Sequence, residues 1–333
     1  MKQIINQQIL DKIGKLNQEY NLNIIPKNKN IVGIGKRGVV IKLDSENCLK
    51  ISKGISFLKR EFICLKQLNK HGIGPKAKQY FEDYDAFIME YLKGQFFKQF
   101  LNKENLKTKI LKIIYEIMDQ LFTLDDLCLT KEEMHKPVKH IIIRKNKPYL
   151  IDFERCKPSN KPSNLSQFLQ YLSSISEILS EKRLILIRDG QLENIRKYKK
   201  DICKKNLTKI KSLLWFYPET DFEKIYTLVR NIPIGKLATY AQIGKIVNVN
   251  PRIVGFAMNK NPLWPIVPCH RVVAKDSLGG FSKGLEAKKK LLKKEGIKNF
   301  DSNLSQHIID DERLKKRFTI FLNKILQESC QRA

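Results

Sequence analysis

Residues 157–164 read Lys-Pro-Ser-Asn-Lys-Pro-Ser-Asn, and this polar stretch separates parts of the chain with unlike patterns. Closely spaced prolines remove backbone donors and push the residues before them out of the helical region, so a loop or linker is expected there. Ahead of it, β-like runs (IVGIGKRGVVIKL, NCLKISK, AFIMEYL, HIIIRKNKPYLIDFE) mix with helical ones. Behind it, to about residue 225, the pattern turns helical. From about 222 to 300 short helical segments alternate with turn-rich stretches such as Asn259-Lys260-Asn261-Pro262. The last segment, DDERLKKRFTIFLNKIL, carries apolar residues at helical spacing and is expected to be an amphipathic packing tail. At roughly 100–200 residues per domain, the length allows two domains with buried cores.

Charge narrows the partner. The chain has 63 Lys and Arg against 34 Asp and Glu, a formal net charge of +29. Such a surplus points to a polyanion, nucleic acid ahead of a membrane surface, and argues against a small cationic substrate. A hydrophobic fraction of 42% excludes a disordered chain. The seven cysteines (48, 64, 128, 156, 203, 269 and 330) are odd in number, widely spaced and never form Cys-x-x-Cys. That is neither a disulfide framework nor a structural zinc pattern, so reduced thiols in a cytoplasmic protein are expected. No window reaches the about 18–20 uncharged apolar residues of a membrane span, and the opening stretch lacks the apolar run of a secretory signal. No membrane partner is expected.

The stretch most informative about chemistry is Asn261-Pro262-Leu263-Trp264-Pro265-Ile266-Val267-Pro268-Cys269-His270-Arg271-Val272-Val273. Its prolines bracket an apolar run and deliver a Cys-His pair. A cysteine becomes a nucleophile only as thiolate, so it needs a base or a cation within reach. Adjacency in sequence alone does not place the His270 ring on the sulfur.

Several further motifs share the order and spacing of one family. They are Ile232-Pro233-Ile234-Gly235-Lys236 with Thr239-Tyr240, Ile243 and Gly244; then Arg252-Ile253-Val254-Gly255-Phe256-Ala257-Met258 leading to Asn261-Pro262; then Pro-Cys-His-Arg-Val; and then Gly279-Gly280-Phe281-Ser282-Lys283-Gly284-Leu285, Lys288, Leu291-Leu292 and Glu295-Gly296. From about Phe222 to Gly296 the chain thus closely resembles the methylated-DNA–protein-cysteine methyltransferases, or O6-alkylguanine-DNA alkyltransferases. The resemblance implies a helix-turn-helix module that enters the minor groove and turns a damaged nucleotide out of the stack. On that footing Thr239 caps the first helix, Arg252 fills the gap left by the flipped base, and Gly255 and Ala257 allow close approach to the groove. Glu295 polarises His270, which takes the Cys269 proton through a water. The thiolate attacks the alkyl carbon on guanine O6, and each molecule acts once. Tyr240 hydrogen-bonds the leaving guanine, Asn261 holds the turn, and Ser282 with the Gly279-Gly280 backbone lines the pocket. No cofactor is needed.

Two residues depart from the family pattern: Phe256, where a smaller residue is common, and Trp264, where a pocket-edge proline is common. Cys269 separates the chain from alkyltransferase-like proteins, which carry tryptophan there and bind lesions without repairing them. The α/β domain usual ahead of the module is not recognisable. Arg252, Lys260, Lys283 and Lys288 are the candidate phosphate contacts near the groove-facing helix.

In the amino-terminal part, Gly33-Ile34-Gly35-Lys36-Arg37-Gly38 has the spacing of a glycine-rich phosphate loop, a weak signal alone. It is followed by strand-like Val39–Leu43, Cys48-Leu49-Lys50-Ile51, a helical run containing Glu61, and Tyr149-Leu150-Ile151-Asp152-Phe153-Glu154. This order resembles the protein-kinase-like fold, nearest the small archaeal-type, RIO-like kinases. The resemblance implies that Gly33, Gly35, Gly38 and Lys50 meet nucleotide phosphates, that Lys50 pairs with Glu61, and that Asp152 holds Mg2+ of an ATP complex. The catalytic-loop stretch, residues 132–141, has neither the aspartate nor the asparagine of a kinase, and Asp-Phe-Gly has become Asp-Phe-Glu; Glu133 is the candidate replacement acid.

The expected protein is therefore α+β and multidomain: a bilobal protein-kinase-like domain over 1–160, a helical linker over 161–221, a mainly helical winged or helix-turn-helix alkyltransferase domain over 222–300, and a helical tail over 301–333. Its expected partner is double-stranded DNA containing O6-alkylguanine, placing it in the cytoplasm on the nucleoid. The rivals are a Ser/Thr kinase recruited to DNA damage by the lesion-binding module, and a lesion flag that binds without repair.

Overall fold

Alternating apolar residues along the amino-terminal runs need a common face to bury, and they find it in one antiparallel sheet. The computed structural model describes residues 7–54, 58–298, 300 and 304–330; residues 1–6, 55–57, 299, 301–303 and 331–333 of the expected domains and tail lie outside it. Strands β1 (Ile31–Ile34), β2 (Gly38–Lys42), β3 (Asn47–Ser52), β4 (Ala77–Phe81) and β5 (Ala86–Glu90) pair in the order β1-β2-β3-β5-β4. Helix α1 (Gln7–Tyr20) turns Ile9, Ile13 and Leu16 onto Val39, Ile41, Leu49, Ile51 and Phe81, the helical spacing meeting the strand alternation. Helix α2 (Leu58–Asn69) follows β3 and carries Glu61.

The chain then forms β6 (Gln95–Phe96), α3 (Phe97–Lys103), the long α4 (Lys107–Asp126) and β7 (Leu129–Lys131). Strands β8 (Ile141–Arg144) and β9 (Lys147–Leu150) make a hairpin beside β6; its two turn residues, Lys145 and Asn146, have φ of 48° and 60°, the twist a two-residue hairpin needs. Strand β10 (Cys156–Pro158) pairs antiparallel with β7, and α5 (Asn164–Ser174) starts where Asn164 donates to Asp125 and Leu129 and accepts from Lys131 N. The polar stretch 157–164 is therefore pinned at both ends rather than a free linker.

The remaining elements are α6 (Ser176–Glu181), β11 (Leu184–Leu186), α7 (Gln191–Lys200), α8 (Lys204–Lys211), β12 (Leu214–Phe216), α9 (Asp221–Arg230), β13 (Ala238–Thr239), α10 (Tyr240–Val247), α11 (Pro251–Asn259), β14 (Val272–Val273), α12 (Leu285–Lys294) and α13 (Asp311–Cys330). The chain divides into two compact units: Met1–Glu104 with Glu116–Tyr171, and Asn105–Tyr115 with Leu172–Ala333.

Two expectations change. Residues 161–221 are not a helical linker: β11 and β12 pair antiparallel, their six residues are all buried, and Trp215 Nε1 donates to Thr227 Oγ1 of α9 at 3.0 Å. Apolar triplets of this kind cannot stay solvated, so β11 and β12 belong to the core of the second unit, while residues 161–171 fall in the first. A wing would be a hairpin after the second helix; among the described residues α11 is followed instead by β14, which pairs parallel with β13. Among the described residues no helix is long and apolar enough to cross a membrane.

Candidate active site

Thr239 starts α10 as an N-cap: its hydroxyl accepts from Gln242 N at 3.1 Å while Gln242 Oε1 accepts from Thr239 N at 2.8 Å. This reciprocal box satisfies two donors that a helix start leaves open. Asn248 ends the helix at φ 59°, and Asn250 caps α11 by accepting from Arg252 N at 2.9 Å, with Pro251 at the first helical position. Arg252 is exposed. Gly255 is half-buried and faces the Tyr240 ring. Ala257 departs from its expected place: it is fully buried, its carbonyl accepting from Tyr226 OH at 3.1 Å, so its small size serves packing inside the unit. The outer face of α11 is Arg252, Ile253 and Phe256, the last 57% exposed.

Asn261 closes the loop that follows. Its Nδ2 donates to Val267 O at 2.9 Å and its Oδ1 accepts from Leu263 N at 2.9 Å, tying the two ends of the proline-rich run together. That run delivers Cys269 to a short turn, Cys269–Arg271, where the residue is only 7% exposed. Burial pushes the Cys269 thiol up, and the Asn261 hydrogen bond and the Lys288 and Lys283 charges oppose this without reversing it. The resting group is a thiol and needs a base.

The next residue, His270, is held by a carboxylate. His270 Nε2 lies 2.8 Å from Glu295 Oε1, and His270 Nδ1 is buried with no hydrogen-bond partner among the described residues. Glu295 is itself held by Arg271, whose Nε and Nη2 donate at 2.9 and 2.8 Å while its Nη1 donates to Ile232 O, and by Gly235 N at 3.3 Å. Burial pushes the Glu295 carboxyl up, but the His270 and Arg271 hydrogen bonds bring it down to about 2. With the carboxylate on Nε2, Nδ1 is the ring nitrogen left without a partner among the described residues. Tyr240 OH sits 3.5 Å from Gly280 O, and Gly279 at φ 63° passes so close that an added Cβ would stand 3.0 Å from the Tyr240 ring. Ser282 is exposed near this edge, and Lys283 Nζ stacks 3.6 Å from the Trp264 ring centroid.

Lys288 corrects an expectation. It is 0% exposed and donates to Val272 O at 2.6 Å, Leu278 O at 2.5 Å and Gly280 O at 3.3 Å. It cannot reach a phosphate. Burial brings it down to about 8, partly offset by Cys269. Arg271, Tyr226 and the true place of Lys288 were not legible as site features, because each acts through a partner remote in sequence.

The amino-terminal unit carries a second cluster. Gly35 N donates to Gly38 O at 2.9 Å to close a tight turn. Of the three loop glycines, Gly38 alone has no room for a side chain, since a Cβ would stand 2.8 Å from Ile51 O; Gly33 and Gly35 are exposed. Lys50 of β3 bridges Glu61 Oε2 at 2.7 Å and Asp152 Oδ1 at 3.1 Å. Burial opposes its charge, and these two carboxylates more than offset that, raising Lys50. Asp152 sits at φ 63°, a left-handed conformation costing about 1–3 kcal/mol and typical of functional positions. Glu61, Asp152 and Glu154 offer carboxylate oxygens all within 4.8 Å of one another. Glu133 is instead engaged by Lys131 at 3.3 Å and Arg155 at 3.7 Å. His140, passed over in the sequence, places Nδ1 4.0 Å from Asp152 Oδ2.

Residues 221–297 match the family model described as the 6-O-methylguanine DNA methyltransferase DNA-binding domain. The methylated-DNA–protein-cysteine methyltransferase of Sulfolobus acidocaldarius is 49% identical over 74 residues, 22% of this chain and 48% of that protein. The chain spans about half the length of the curated relatives it matches. A crystal structure of O6-methylguanine-DNA methyltransferase from Pyrococcus kodakaraensis is 45% identical, covering 24% of this chain and 47% of that one with a TM-score of 0.23. The streptomycin–ATP–APH(2")-IIa ternary complex covers 63% of this chain and 96% of its own at 14% identity and a TM-score of 0.38.

Proposed function

We propose that the methyltransferase-like segment repairs O6-alkylguanine in duplex DNA by moving the alkyl group onto Cys269. The observation that supports this most is the Glu295–His270 pair, 2.8 Å apart, with the second ring nitrogen buried and unpartnered among the described residues and a buried cysteine as the preceding residue. His270 Nδ1 takes the Cys269 proton through one water. The thiolate attacks the alkyl carbon, an S–C bond forms as the C–O6 bond breaks, and the electron pair stays on guanine. Tyr240 OH hydrogen-bonds the purine as that charge develops. Arg252, exposed on the second position of α11, fills the stack from which the nucleotide has turned, at a cost of a few kcal/mol for extrusion. Asn261 holds the turn that aims the sulfur, and Ser282 lies at the pocket edge. A thioether does not release its alkyl group, so one molecule serves one lesion. Incubation with a duplex containing O6-methylguanine should yield restored guanine in amounts not exceeding the protein; restoration in excess would contradict the single-event mechanism.

A second reading concerns the other unit and rests on the Lys50–Glu61–Asp152 bridge. This unit binds ATP: Lys50 meets the phosphates, the turn at Gly33, Gly35 and Gly38 covers them, and Asp152 holds a divalent cation. The free Asp152–His140 gap and the Glu154 carboxylate fit such an ion, which would neutralise phosphate charge. Engagement of Glu133 by Lys131 favours binding without phosphate transfer. The rival, a Ser/Thr kinase recruited to damaged DNA, requires labelled phosphate to pass from ATP to protein and the transfer to vanish in Lys50→Ala and Asp152→Ala.

A further inference from the structure

His140 Nδ1 is shielded from solvent and has no hydrogen-bond partner among the described residues, although the side chain as a whole is 20% exposed. An unpaired buried ring nitrogen costs roughly 1–3 kcal/mol, so it marks a partner that the polypeptide does not supply. The carboxylate oxygen Asp152 Oδ2 lies at 4.0 Å, too far for a hydrogen bond. Two atoms bound to one cation at about 2.1–2.2 Å stand at most about 4.4 Å apart, so this gap is one that a shared ion spans.

The pair is built into the backbone. Ile141 opposite Leu150 sets the register of β8 and β9, and Ile151 N donates to His140 O at 3.0 Å. His140, just before β8, and Asp152, just beyond β9, are thereby held side by side. The left-handed backbone at Asp152 further fixes its aim, and Lys50 engages the other oxygen, Oδ1, at 3.1 Å. Glu154 offers another oxygen within 4.8 Å.

We propose that His140 Nδ1 and Asp152 Oδ2 ligate one divalent cation together, and that the nitrogen ligand makes the site prefer a first-row transition ion over Mg2+. Mg2+ takes oxygen ligands, whereas imidazole binds the transition ions in preference. This inference rests on the nucleotide-binding reading of the same cluster.

The test uses the full chain and Mn2+, with and without a non-hydrolysable ATP analogue, read by pulsed electron paramagnetic resonance for 14N coupling to bound Mn2+. Nucleotide binding is measured separately with Mg2+. The wild type should show imidazole coupling that both His140→Asn and His140→Ala lose, and His140→Asn should lower the Mn2+-over-Mg2+ preference by about tenfold or more. The asparagine variant keeps a ligand of similar reach, and its melting temperature shows that it folds. Coupling without nucleotide binding would support the cation site and overturn the nucleotide reading. Nucleotide binding with no coupling, coupling that survives in both variants, or no Mn2+ binding in any state would overturn the inference.

Discussion

His270 Nε2 stands 2.8 Å from Glu295 Oε1, and the same carboxylate receives two nitrogens of Arg271. The carboxylate thus orients the imidazole, and the guanidinium keeps the carboxylate charged. Because Glu295 titrates at about 2 when folded, against about 4.3 in an open chain, it contributes stability that is fully present above the open-chain value and fades as pH falls towards 2. The contribution is about 2–3 kcal/mol before screening, reasonable for a side chain only 14% exposed. Denaturant midpoints of the wild type should fall more steeply than those of Glu295→Gln between about pH 4.5 and 2. Parallel curves would contradict the coupling.

Replacing Lys288 by Met removes one ammonium and leaves the Val272, Leu278 and Gly280 carbonyls without their donor. A loss of about 1–3 kcal/mol is expected by chemical denaturation. The lost positive charge should also raise the Cys269 thiol further, since Lys288 acts to lower it. Iodoacetamide alkylation of Cys269 as a function of pH should then shift to higher pH in Lys288→Met; an unchanged profile would show that the charge does not reach the sulfur.

Exposed Lys260 and Lys283 differ from Lys288 in what they can touch. If each meets one phosphate, its alanine variant should flatten the plot of log K for duplex binding against log salt by about 0.9. Lys288→Met should leave that slope unchanged. Arg252→Ala should reduce transfer to a paired lesion far more than to a lesion opposite an abasic site, where no base pair has to be broken and extrusion costs less.

In the other unit, Lys50→Met leaves two carboxylates, one of them buried, without their cation. Breaking such a pair from one side costs about 3–5 kcal/mol. Calorimetry should show a lower melting temperature and loss of ATP binding together. A variant that melts as the wild type does would mean the bridge carries no strain on the fold.

What could be read in the sequence came through the resemblance of its motifs to the alkyltransferases, which implied roles for Cys269, His270, Glu295, Asn261 and Thr239. Two of these contacts are local in the structure, since Asn261 bonds within the loop it closes and Thr239 caps its own helix, whereas Glu295 meets His270 across 25 residues. Lys288 was misread as a phosphate contact because its burial depends on three carbonyls gathered from separate turns. Ala257 was misread because which face of α11 points inward is set by Tyr226 on another helix. His140 was overlooked since its nearness to Asp152 exists only through the β8–β9 register. Residues 161–221 read as a linker because their two apolar strands are short and the intervening segment is rich in lysine; only the β11–β12 pairing reveals a core.

The most direct test is mass spectrometry of the peptide containing Cys269 after the full chain has met a duplex with O6-methylguanine. One added methyl group on Cys269, absent from Cys269→Ser, is the predicted result. A wild-type peptide that stays unmodified although the protein binds the lesion would contradict the account.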